Sequence, residues 1–142
     1  MANYQFIDHT ADLAIKVYGK TVEEIFIHAA LAWQKCIFEE AIPAPAEEME
    51  LHLLADSPEE LLVEFLSEIN YQTTIKQWCF SKIKQISVRP VDKKYELNAL
   101  ILGEKYDEKK HQIQMEIKAV TFHQLRIEKK DGLYQTLIVF DI

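Results

Sequence analysis

Two carboxylates and an imidazole fall within one short stretch near the start of the chain, Asp8-His9-Thr10-Ala11-Asp12. Such a set can hold a metal ion or move a proton. It can equally close a hydrogen-bonded turn, because Asp and Thr side chains commonly bond the backbone of loops. Asp12 is the more telling carboxylate, since it abuts apolar Leu13. At the other end, Leu137-Ile138-Val139-Phe140 is continuously apolar, as a strand buried on both faces would be, and it stops at Asp141-Ile142. A terminal carboxylate beside that of Asp141 sets two negative charges at the end of a buried strand, where they repel unless a cation or basic group offsets them. If strand pairing brings Asp12 alongside, three oxygen donors converge. Oxygen donors without thiolate or His spacing suit a hard cation, Ca²⁺ or Mg²⁺, better than zinc. The alternative is a strand that ends in a solvated carboxylate.

Other stretches carry weaker signals. Lys118 and His123 bracket a change of hydrophobic phase and are either functional or solvent-facing on a bulged strand. Gly103-Glu104-Lys105-Tyr106-Asp107 holds a single glycine, too little for a phosphate cradle, and reads as an ordinary inter-strand loop. Glu60, Glu64 and Glu68 form an acidic row at helical spacing, whose like charges cost a few tenths of a kcal/mol per pair, on the order of 0.2–0.5. It is a solvated face or a surface for a basic partner. No Ser-His-Asp or Cys-His arrangement, HExxH, GxxxxGK[ST] or GxGxxG motif accompanies these residues.

The elements that must position them follow from periodicity. Thr21 with Glu24 makes a capping box, and Val22, Ile25, Phe26, Ala29, Ala30, Trp33 and Ile37 keep one apolar stripe, so a helix is expected over Thr21–Phe38. Ser57, Pro58 and Glu60 open a second over Ser57–Tyr71, burying Leu61, Leu62, Phe65, Leu66 and Ile69. Strands are expected at Leu13–Tyr18, Met49–Ala55, Phe80–Arg89, Tyr95–Leu102, Ile113–Ala119 and Leu133–Phe140, with Asp131-Gly132 as a hairpin turn. Val120 and Phe122 then break the alternation, as a bulge would. The expected fold class is α+β: a largely antiparallel β-sheet with two amphipathic helices packed on it, and Trp33, Phe65 and Leu66 in the core.

Composition excludes several classes. With 142 residues, 49% hydrophobic and 27% charged, the chain fits one globular domain with a self-sufficient core. No apolar run approaches the ~18 residues of a membrane span, and the opening residues lack a signal-peptide pattern. A cytoplasmic location is therefore expected. The net charge of −7 opposes nucleic-acid binding as the main role, because phosphate contacts need a basic face. Cys36 and Cys79 lie far apart, without CxxC spacing, and read as buried thiols in a reducing compartment.

Together these motifs resemble the archease family over essentially the full length. The resemblance is carried by Asp8-His-Thr-Ala-Asp-Leu-Ala-Ile15, Tyr18-Gly-Lys-Thr-Val-Glu-Glu24 and Leu61-Leu-Val-Glu-Phe-Leu-Ser-Glu-Ile69. Gly103-Glu104, Tyr106-Asp107, His111, Glu116-Ile-Lys-Ala-Val-Thr-Phe-His123 and Val139-Phe-Asp-Ile142 follow in the family's order. Leu13-Ala14 stands where the family often has Ile or Val then Gly, and Phe122 where Tyr is frequent; neither removes a polar group. The resemblance implies one archease-like domain over residues 1–142. It also implies an accessory role toward the GTP-dependent RtcB-type RNA ligase of tRNA splicing and RNA repair. There the factor promotes ligase guanylylation and multiple turnover and broadens nucleotide use, while RNA is contacted mainly through the ligase. It implies a divalent metal ion (Ca²⁺ or Mg²⁺/Mn²⁺) held by Asp12, Asp141 and Ile142. His9, Lys118 and His123 match motif positions without an assigned role. Two other classes stay open: a small metal-dependent phosphohydrolase using Asp8, His9, Asp12 and Asp141, and a chaperone-like or RNA-binding modulator.

Overall fold

Helix α1 (Val22–Phe38) starts where its capping box dictates: Thr21 Oγ1 accepts from the Glu24 N–H at 3.1 Å, and the Glu24 carboxylate accepts from the Lys20 N–H at 3.0 Å. Helix α2 (Pro58–Thr74) repeats the device with Ser57 and Glu60. It runs past the expected Tyr71 because Thr73, beyond the apolar stripe, is itself buried and donates to the Trp78 carbonyl. The structure is a computed structural model and describes residues 3–7, 12–122 and 125–142.

The strands divide between two antiparallel sheets rather than forming one. The first joins β1 (Tyr4–Ile7), β2 (Asp12–Gly19), β8 (Leu133–Asp141) and β6 (Ala119–Thr121) in that order, with β7 (Glu128–Lys130) also pairing β8. The second has the order β3 (Glu47–Ala55), β5 (Lys94–Lys105), β4 (Trp78–Val91). Helix α1 packs on β2 of one sheet and β4 of the other, and α2 touches β3, β4 and β6. No residue of α1 is exposed, which is what enclosure between two sheets produces. Gln34, off the apolar stripe, is consequently buried. Its side-chain amide donates to the carbonyls of Phe80 and Ser81, beside the register shift between Phe80 and Lys82 in β4. Trp33, Phe65 and Leu66 are fully buried, as expected.

Two local expectations change. The alternating segment Ile113–Ala119 is not a ladder strand before Ala119. Its backbone groups pair elsewhere: Gln114 N–H with the Ile37 carbonyl, and the Ile117 carbonyl with Asn70 Nδ2. Strand β1, four residues at the sheet edge, was not expected. The Asp131-Gly132 hairpin forms as anticipated, with φ of 53° and 80°, the left-handed pair a tight two-residue turn requires.

Candidate functional site

Strand β8 is flanked on both sides, and its register builds the site. Asp12 at the start of β2 stands directly opposite Asp141 at the end of β8, while Ala119 of β6 faces Asp141 from the other side. Residues directly opposite in an antiparallel pair share a face, with Cβ atoms roughly 4.5–5.5 Å apart. The two carboxylates are therefore neighbours, both half-buried, and Asp12 makes a further interaction within the molecule. The pairing the sequence required for convergence is present.

Two more groups frame this pair. The Lys118 N–H donates to the Asp141 carbonyl at 2.8 Å, so the extended segment ahead of β6 straps the end of β8; the residue itself is exposed. Thr121 lies opposite Val139, two residues along from Asp141 and so on the same face. Its buried hydroxyl has no hydrogen-bond partner. A buried hydroxyl without a partner in the protein calls for a water or another ligand to satisfy it, and the hydroxyl of Thr136 on β8 is in the same position. Ile142 is partly exposed at 42%. Asp8, His9 and His123 lie outside the described residues. Among the described residues no three His, Cys, Asp or Glu side chains gather as a metal cluster; the sheet supplies two carboxylates.

A second polar cluster was missed in the sequence. Gly103, Glu104 and Lys105 belong to β5 rather than a loop. Buried His111 sits against the Glu104 carboxylate, Nε2 to Oε2 2.8 Å, and its Nδ1 accepts from the Asp107 N–H at 2.9 Å. That pattern places the ring proton on Nε2. Glu104 also accepts from the Ala44 N–H at 2.7 Å, so one carboxylate ties the 40–46 connection to the turn after β5. Those two bonds, the Ala44 amide foremost, hold the Glu104 carboxyl below the usual carboxylate range. In the sequence these residues stood out as motif positions beside Gly103, where an added Cβ would lie 2.3 Å from the Cys79 carbonyl oxygen and 2.7 Å from the Trp78 ring.

This cluster is structural, and it predicts a pH dependence. Glu104→Ala leaves the Ala44 N–H and His111 Nε2–H without their acceptor and should cost about 1–3 kcal/mol at neutral pH in urea unfolding. A carboxyl whose folded pKa is depressed stabilises the fold above its unfolded pKa and loses that contribution as pH falls through the folded value. The gap between native protein and variant should therefore narrow below the ordinary carboxylate range. A constant gap from pH 7 to pH 3 would contradict this assignment. The two thiols are inert by comparison: burial pushes Cys36 up to about 12 and Cys79, beside Glu104, up to about 11.

Comparison with known proteins places the geometry in context. Residues 4–142 match the Archease protein family (MTH1598/TM1083). Protein archease of Methanosarcina mazei is 38% identical over 139 residues, covering 98% of this chain and 95% of the relative. Protein archease of Pyrococcus furiosus is 34% identical over 143 residues, covering both chains fully. Among solved structures, the solution structure of Methanobacterium thermoautotrophicum protein 1598 superposes with a TM-score of 0.82 at 28% identity over the whole of both chains. A Thermotoga maritima archease, described as a possible chaperone, shares the fold with a TM-score of 0.61 at 24% identity, over 96% of this chain and 94% of its own. No helix among the described residues is long and apolar enough to cross a membrane.

Proposed function

This chain belongs to the archease family, and from that premise we propose that it activates a GTP-dependent RtcB-type RNA ligase in the cytoplasm, promoting ligase guanylylation and multiple turnover in tRNA splicing and RNA repair and broadening nucleotide use. The observation that supports this most is the register setting Asp12 opposite Asp141 at the end of β8. Their carboxylates and the α-carboxylate of Ile142, where that residue ends the chain, make an oxygen-only donor set suited to Ca²⁺, Mg²⁺ or Mn²⁺. A divalent ion held there supplies positive charge of the kind nucleotidyl transfer needs at phosphate oxygens. The chain's own part is positional: the buried strand β8 and the strap from Lys118 hold the acidic end at the surface, where a ligase can meet it.

The role is accessory rather than catalytic on this reading, with RNA contacted mainly through the ligase. A protein of net charge −7 offers phosphate no counterion release. Alone it should bind RNA only weakly; sub-micromolar RNA affinity at physiological salt, without ligase, would contradict the assignment. The direct test is guanylylation of the ligase from the same cell, with and without this protein and with GTP limiting. Faster formation of the guanylylated ligase is expected, and an unchanged rate overturns the reading.

A further inference from the structure

One side of α2 changes character along its length. Glu60, Glu64, Glu68, Tyr71 and Ile75 follow one another at spacings of four, four, three and four residues, so they form a single stripe, acidic first and apolar after. The apolar half opens into a groove of about 670 Å³ between α2 and the segment before β6, walled by Ser67, Tyr71 and Ile75 on one side and Ile113, Ile117 and Val120 on the other. Tyr71, Ile75 and Ile113 are 42%, 66% and 40% exposed. Three large apolar side chains left in water around one groove mark a surface that is covered in use.

The acidic half needs its own explanation. Glu60 caps its helix and sits in the first turn, where a negative charge is favourable. Glu64 and Glu68 have neither excuse, and repel at i,i+4 spacing. No Lys or Arg of the described residues makes an ion pair with Glu60, Glu64, Glu68 or the groove-lining Glu116; the cations nearby, Lys118 in the groove and Lys76 over the Tyr71 ring at 5.9 Å, lie at the apolar half. Burial and the Glu60 charge raise the Glu64 carboxyl above its ordinary value, which shows a charge held at some cost.

We propose that this stripe and groove are the docking site for a basic amphipathic helix of a partner protein. Its apolar residues seat among Tyr71, Ile75 and Ile113, and its Lys or Arg side chains run along Glu60, Glu64 and Glu68. From Glu60 to Ile75 the stripe spans about 22 Å at 1.5 Å per residue, room for about four helical turns. Charge selects the occupant. Carboxylates repel the phosphates of RNA and of anionic lipid. A second copy is disfavoured too, because a twofold contact would set the acidic stripe of α2 against itself. This inference does not depend on the ligase reading, since any partner with that helix satisfies it.

The test uses the intact protein and three synthetic peptides of about 18 residues, long enough for the stripe. One is a Leu/Lys helix with a single apolar stripe. The second has the same composition, permuted so that the stripe is lost. The third carries Glu in place of every Lys. The striped basic peptide is expected to shift the amide resonances of residues 67–75 and 113–120 and to bind about tenfold more tightly than the permuted one. Ile75→Asp, and separately Glu64→Lys with Glu68→Lys, should each weaken it about tenfold, with the unbound spectra unchanged away from the sites. Absence of binding, equal binding of the permuted or acidic peptide, or shifts confined to another face overturns the proposal. So does a native dimer that Ile75→Asp dissociates, which would make a second copy the occupant.

Discussion

Asp141→Ala is expected to abolish stimulation of ligase guanylylation while leaving the fold intact. The bond that anchors the end of β8 runs from the Lys118 N–H to the Asp141 main-chain carbonyl, and alanine keeps that carbonyl. The ladder contacts to Asp12 and Ala119 are backbone contacts as well. Removing one of two like charges that stand directly opposite relieves repulsion of roughly 0.2–1 kcal/mol, so the urea midpoint should hold or rise slightly. Asp12→Ala should also silence the ligase. Calorimetric titration with Ca²⁺, Mg²⁺ and Mn²⁺ should show binding to the native protein that both variants lose. Where Ile142 ends the chain, a short tag after it should act in the same direction by turning a terminal carboxylate into a neutral amide, whereas a tag before Met1 should be harmless. A protein extended at Ile142 that binds metal and stimulates guanylylation as well as the native chain would remove Ile142 from the donor set. Native-like stimulation by Asp141→Ala would remove the site.

What was legible beforehand followed from local chemistry. The capping boxes at Thr21 and Ser57, the apolar stripes they open and the Asp131-Gly132 turn each depend on residues a few positions apart, and each forms as read. The pairing of Asp12 with Asp141 joins residues from opposite ends of the sequence; their charge and apolar neighbours drew attention to both, but only the register of β2 on β8 makes them meet. The division into two sheets was hidden for a related reason. An amphipathic stripe reports one buried face, and the burial of Gln34 off that stripe depends on β4 arriving beside α1 with the Phe80 and Ser81 carbonyls. Alternation in Ile113–Ala119 was a burial signal only at its centre, where Ile117 is buried and Met115 half-buried, while Ile113 and Ala119 are exposed like Gln114 and Glu116. It was taken for a ladder because alternation does not say which groups accept the backbone hydrogen bonds. Glu104 and His111 stood out only as motif positions, and their pairing was not read because the bend between them, not their spacing, brings the carboxylate to the ring. Asp8, His9 and His123 lie outside the described residues and bear on none of this.

The core prediction with the largest cost concerns Trp33. Its indole is fully buried, packs edge-on against Phe38 and Phe80, and donates through Nε1 to Asn70 Oδ1 at 3.0 Å. Trp33→Ala should cost about 3–5 kcal/mol in urea unfolding, from lost transfer energy and the cavity left behind. That is a large part of the roughly 5–15 kcal/mol that holds an ordinary domain folded. The hydrogen bond carries the effect further than packing alone would. Asn70, held by the indole, donates Nδ2 to the Ile117 carbonyl at 2.9 Å, and the next residue, Lys118, donates its N–H to Asp141. A chain of bonds thus runs from α1 through α2 to the acidic end of β8. Trp33→Phe keeps most of the ring volume but removes the N–H, so it should lose less stability, about 1–3 kcal/mol. It should still speed hydrogen exchange at the Lys118 amide relative to amides of β3 and β5, which lie outside that chain. Asn70→Leu, which breaks both links, should speed it further. Uniform exchange across both sheets in Trp33→Phe would mean that the indole acts on the acidic end only through global stability, and that the strap is held by β8 alone.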